Sequence, residues 1–95
     1  PVEALGSVAF DEFLTYFKSS AKWNSKAGAL AMFNHLIDDV PSDLLEMKFV
    51  DAVPVLTDLA TDFKPELAAL GLRTLMKYVK VLDNLDLEKK YDLIV

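Results

Sequence analysis

Residues 49–79, FVDAVPVLTDLATDFKPELAALGLRTLMKYV, hold the pattern that decides the fold. Phe49, Ala52, Val53, Leu56 and Leu59 recur at helical spacing and mark one apolar face of a helix. Pro54 inside it removes a backbone donor and predicts a bend. Thr61-Asp62-Phe63-Lys64-Pro65 then breaks the pattern, with proline suited to the first turn of a new helix. From Pro65 to Leu82 a second stripe follows, with Ala68, Leu72, Leu75, Met76, Val79 and Leu82 expected to point inward.

The same pattern recurs upstream. A shift of 39 residues places Phe10, Phe13, Leu14 and Phe17 on Phe49, Ala52, Val53 and Leu56. It also places Ala29, Phe33, Leu36, Ile37 and Val40 on Ala68, Leu72, Leu75, Met76 and Val79. Ser7 is a candidate N-cap for the first of these helices, and a second is expected from about Lys26 to Asp38. Pro41 disfavours helical geometry at Val40, and Ser42 and Asp43 suit the start of the third helix. A further shift of 38 brings Phe49, Val53 and Leu56 onto Leu87, Tyr91 and Ile94, with Asp83-Asn84 read as a turn before a fifth helix. The expected organisation of residues 1–95 is therefore a single helical domain or fragment. Repeat one spans about 8–40, repeat two about 43–82, and a third begins at 84–95.

Paired helices with a period near 40 are the mark of an α-solenoid. The fold class read from the sequence is all-α, with antiparallel helix pairs stacked as about two and a half repeats, five helices in all. A closed helical bundle buries the same stripes and stands as the alternative.

Composition narrows the function. At 95 residues the chain suits one compact domain, and its 53% hydrophobic content supplies a core. The net charge of −5 argues against a nucleic-acid binder, whose footprint is basic. With no cysteine and one histidine, thiolate and multi-histidine metal sites are excluded, and no cofactor is expected. No apolar run reaches the ~20 residues of a membrane span. The start Pro-Val-Glu-Ala-Leu-Gly is not a secretory signal, so an intracellular setting, cytoplasmic or nuclear, is expected. The apolar end Leu93-Ile94-Val95 reads as a cut through a helix. It predicts cover by a second copy or by flanking repeats.

Residues 49–79 resemble a HEAT or armadillo-type repeat: a proline-bent first helix, a turn carrying Asp62, and the alanine-rich start Leu67-Ala68-Ala69-Leu70-Gly71-Leu72. Trp23 to Leu30 resembles the same turn and second-helix start one repeat earlier, and the likeness covers about residues 8–95. Two departures stand out. The basic residue such repeats often carry early in the second helix is absent from Leu67 to Leu72, and Asp62 has no counterpart at Trp23. The resemblance implies a surface for another protein, with recognition residues on the exposed side of the second helices.

In this register Asn34 and Asp38 face outward on the second helix, and Arg73, Lys77 and Lys80 on the fourth. The last three form one basic stripe at i, i+4 and i+7. Glu12, Asp51 and Asp58 give the first helices an acidic outer side. The expected partner is a protein or an acidic peptide, steered by charge to the second-helix face. A structural or oligomerising domain and a carrier of an apolar ligand are the other readings.

No residue pattern supports catalysis. His35 has no nucleophile ordered with it, and there is no glycine-flanked serine or phosphate loop. Asp38-Asp39 at a helix C-terminus is best explained by capping or a nearby lysine. The Asp83 to Glu88 stretch lacks the glycine and spacing of a calcium loop. Trp23 and Phe63 are expected to plug the two intra-pair turns, and Tyr16 and Tyr78 to keep their hydroxyls in water.

Overall fold

The computed structural model describes the backbone of residues 2–94 and the side chains of residues 6–84. It is all-α among the described residues, with four helices: α1 (Val2–Lys18), α2 (Trp23–Asp39), α3 (Ser42–Ala60) and α4 (Pro65–Ile94). The fifth helix expected from residue 84 does not exist as a separate element, because α4 runs through Asp83-Asn84 without a turn. Neither residue fixes φ or removes a donor, and the sequence that follows is rich in helix formers. The side chains of Leu87, Tyr91 and Ile94, expected to open a third repeat, and the apolar end at Leu93 to Val95 lie outside the described residues.

Starts and stops follow backbone chemistry more than side-chain caps. Ser7 lies inside α1 and not at its N-cap. Helix α2 begins at Trp23, three residues before the expected Lys26, on an uncapped Lys22. Pro41 sits at the N-cap of α3 in extended geometry, so Ser42 is already helical. Pro54 falls within α3 without ending it; it is exposed, on the side away from the core.

Helix α1 packs against α2 and α3, and α4 packs against α3 and α2, with the α3–α4 contact the most extensive. Like helices of the two pairs are thus neighbours: first on first, second on second. The pairs are alike in layout. Lys18 and Ala60, which end α1 and α3, stand 42 residues apart, as do Trp23 and Pro65, which start α2 and α4. The helix period is therefore 42 and not the 39 of the apolar pattern.

The core is aromatic at the α1–α2 junction. Phe33 is fully buried, its ring edge-on to Phe10, Phe13 and Phe17 at centroid distances of 5.0, 5.7 and 5.7 Å. Tyr78 extends this cluster from α4, 6.1 Å from Phe10 and 5.6 Å from Phe49. Such edge contacts add about 0.5–1.5 kcal/mol each beyond burial.

Tyr78 was expected at a wet edge. It is instead wholly buried, and its hydroxyl donates to the Leu45 carbonyl of α3. Burial, and then the Asp51 carboxylate, push its pKa far above the ordinary tyrosine value. Because the folded state holds the proton more tightly, stability is fully present below the unfolded pKa of about 10 and falls as pH rises above it. Alkaline unfolding monitored by helical circular dichroism should begin near that pH, and Tyr78→Phe should remove that Tyr78-linked onset. At neutral pH the same substitution should cost about 1 kcal/mol for the lost buried hydrogen bond.

Helix α4 presents its buried face one step around from the expected one. Leu67, Gly71, Thr74 and Tyr78 are buried, whereas Leu72, Met76 and Val79 are 51%, 63% and 38% exposed. Ala68, Leu75 and Leu82 are half-buried, as their place beside that face requires. The reason is close approach. A Cβ on Gly71 would stand 2.8 Å from the Ala60 nitrogen and 2.9 Å from the Leu59 carbonyl carbon, so α3 and α4 touch backbone to backbone there. The stripe that holds Gly71 and Thr74 forms the contact, and the more apolar stripe is left outside.

Candidate functional site

Two polar seams join the helix pairs. Lys48 on α3 reaches Asp11 on α1, Nζ to Oδ1 at 2.9 Å. Lys77 on α4 reaches Asp38 on α2 at 2.7 Å and also donates to the Asn34 carbonyl at 2.8 Å and to its Oδ1 at 3.0 Å. Asn34 Nδ2 in turn donates to Thr74 Oγ1 at 3.1 Å, and Thr74 is fully buried. Each seam carries a lysine of the second pair to an aspartate of the first, so like helices meet by charge as well as by packing.

The five residues expected to contact a partner are therefore divided. Asn34, Asp38 and Lys77 are brought together, but facing one another across the α2–α4 contact. Lys77 is half-buried and spends its three donors within the chain. Arg73 and Lys80 are exposed and form no ion pair with a described residue. The expected basic stripe is thus two cations and not three. Glu12, Asp51 and Asp58 are exposed as expected; His35 is exposed too. The lysine contact anticipated for Asp38-Asp39 is the one from Lys77 to Asp38.

Alongside the line of Arg73 and Lys80, to one side of it, runs the apolar stripe Leu72, Met76 and Val79. Met76, Val79 and Leu75, with the Lys77 and Lys80 stems and Asp83, line a shallow open groove along α4. The hydropathy pattern assigns these apolar residues to the core and so does not predict this groove. Its signal was present: Leu67, Gly71, Thr74 and Tyr78 form a competing stripe at i, i+4, i+7 and i+11 whose small members permit close packing. Nothing in the hydropathy pattern marks Thr74 as the hydroxyl between the two pairs.

The turns differ from expectation as well. Phe63 does not plug its turn; the ring is fully exposed. Trp23 is 39% exposed and lies under the Lys64 ammonium, Nζ 5.1 Å from the ring centroid. Asp62 Oδ1 accepts from the Lys64 backbone N–H at 3.0 Å, which fixes the chain before Pro65 and leaves Phe63 at the tip. Tyr16 is exposed as expected.

The seam makes a quantitative prediction. Lys77→Met keeps the stem and removes the charge, and should cost about 1 kcal/mol, because the pair is partly solvated. Asn34→Ala should cost more, about 1–2 kcal/mol, since it leaves the buried Thr74 hydroxyl without that partner. Urea denaturation of both variants and their double mutant should show coupling between the two sites; additive losses would contradict the seam.

The chain is similar to proteins much longer than itself. It is 54% identical over 95 residues to "[NU+] prion formation protein 1" of Saccharomyces cerevisiae, covering all of this chain and 8% of that protein. It is 26% identical over 91 residues to elongation factor 3 of Candida glabrata, covering 92% of this chain and 9% of that protein. Elongation factor 3A of Saccharomyces cerevisiae gives 26% over 92 residues, again with 9% of its length covered. The chain thus spans about a tenth or less of the length of these relatives. No family model matches it. Among the described residues no helix is long and apolar enough to cross a membrane.

Proposed function

We propose that this chain is a segment of a HEAT-like α-solenoid, a non-enzymatic scaffold that binds another protein through the outer face of α4. The like-on-like packing of α1 on α3 and α2 on α4 supports the solenoid, because a closed up-and-down bundle would set α2 beside α3 and diagonal to α4. Similarity to a protein named for prion formation supports a role in protein contacts. The setting that fits this role is intracellular, cytoplasmic or nuclear.

One observation carries the binding face: Leu72, Met76 and Val79 are exposed side by side, with Arg73 and Lys80 along one edge of them. A contiguous apolar patch rimmed by charge is the ordinary form of an interaction surface. Apolar burial would supply affinity there, and the two cations would steer an acidic partner. Asn34, Asp38 and Lys77 hold the two pairs together and so shape this face without leading the contact.

The test is capture of partners by the native chain beside Arg73→Glu/Lys80→Glu, with Lys77 untouched and thermal melting unchanged. The double variant should retain about tenfold less of any partner. Equal retention would move the site off α4. The same exposed stripe favours a second reading, an oligomerising domain in which another copy covers it. Light scattering that finds a concentration-dependent dimer, lost on Met76→Lys, would favour that reading.

A further inference from the structure

The turn edge of the molecule carries a second surface that the α4 face does not use. Phe63 stands fully exposed at the tip of the α3–α4 turn, where water gains nothing from an aromatic ring. Lys64 next to it lies over Trp23, so this turn and the start of α2 share one edge. Lys18 ends α1, Lys22 directly precedes α2, and Lys26 stands one turn into it. Between Glu12 and Asp38 the sequence holds no acidic residue, although the whole chain carries −5. None of Lys18, Lys22, Lys26 and Lys64 forms an ion pair with a described residue. Lys18, Lys22 and the half-buried Lys26 therefore make the α1–α2 side of this edge cationic, with the open aromatics beside it.

We infer that this edge docks an acidic protein segment bearing an aromatic or apolar anchor. Phe63 and the open part of Trp23 would cover the anchor, and Lys18, Lys22 and Lys26 would face its carboxylates. Aromatic anchors ringed by charge are the residues that dominate such contacts. A nucleic acid is the less favoured occupant. Asp58, Asp62 and Glu66 border the turn on the α3–α4 side, so the acidic segment would lie along the α1–α2 side, and that short row of lysines is less than the track of cations a phosphate strand needs.

Trp23 is the sole tryptophan, so its fluorescence reports on this edge without labelling. The probe is a short synthetic peptide of Glu and Asp with a central Phe, titrated at low and moderate salt. It should shift the Trp23 emission saturably and bind more weakly as salt rises. Lys22→Glu/Lys26→Glu should weaken binding about tenfold, and Phe63→Ala several-fold, with helical content and melting unchanged. Arg73→Glu/Lys80→Glu should leave it intact, which separates this site from the face proposed above. Loss of binding only in the Arg73/Lys80 variant, indifference to the Lys22/Lys26 variant, or no saturable shift would each overturn the inference. Tighter binding of a single-stranded oligonucleotide than of the peptide would overturn it too.

Discussion

Phe33→Ala is expected to lower stability by about 3–5 kcal/mol, the range for emptying a buried aromatic site. Phe33 is fully buried and is the one ring that meets Phe10, Phe13 and Phe17 together. Removing it leaves a cavity walled by three rigid rings on a single helix, and α1 cannot close on α2 without losing its contact with α3. Both the transfer energy and the edge-on ring contacts are lost. For a domain whose stability is about 5–15 kcal/mol, this is a large fraction of the total. The urea midpoint should fall steeply with the slope unchanged, and melting should drop by about 15 °C or more. Phe33→Leu, which refills most of the volume, should recover more than half of the loss.

The second large effect is a contrast of sign between two glycines in helices. Gly28→Ala should stabilise by about 0.8–1 kcal/mol, the propensity gain in a helix interior, because nothing lies within 4 Å of the added Cβ. Gly71→Ala carries the same gain but meets the backbone of Ala60 at 2.8 Å and of Leu59 at 2.9 Å. A side chain could swing away; a backbone cannot. The α3–α4 contact must open along its length, at a cost near the top of the usual overpacking range, so the net loss should be about 2 kcal/mol. Thermal melts of the two variants in one buffer would check this. A stabilising Gly71→Ala would mean that the two helices are not in backbone contact.

The glycine also shows why part of the fold was legible and part was not. Phe10, Leu14 and Phe17 on α1, and Ala52 and Leu56 on α3, are buried where their spacing placed them. On α1 the aromatic residues Phe10, Phe13 and Phe17 mark a single face, and hydrophobicity alone identifies it as the inner one. On α4 two stripes compete, and an apolar count selects Leu72, Met76 and Val79 over Leu67, Gly71, Thr74 and Tyr78. Packing selects the reverse, because close backbone approach requires glycine, and Thr74 and Tyr78 have partners for their hydroxyls in Asn34 and Leu45. Hydropathy cannot record those partners, since they lie 40 and 33 residues away in the chain.

The exposed stripe has a counterpart in the first pair. Forty-two residues before Leu72 and Val79 stand Leu30 and Ile37, which flank Asn34 on α2 and are buried. Positions that α2 uses within the chain are thus open on α4. The candidate site was half legible for the same reason. Arg73 and Lys80 were found by charge spacing, but Lys77 is claimed by α2, and the apolar part of the face was hidden by its assignment to the core.

The most direct test of the stacked arrangement is a cross-link across α2 and α4. The chain has no cysteine, so Asp38→Cys/Lys77→Cys provides a pair of thiols without background. In the native chain Lys77 Nζ and Asp38 Oδ2 are 2.7 Å apart, so a bifunctional thiol-reactive linker about as long as the lysine stem should join the two cysteines within one molecule, giving a faster-migrating monomer in high yield. Control pairs placing one thiol on α2 and one on the outer side of α3 should not link. If the α2–α3 pairs link and the Asp38–Lys77 pair does not, the helices close as a bundle and the stacked account is wrong.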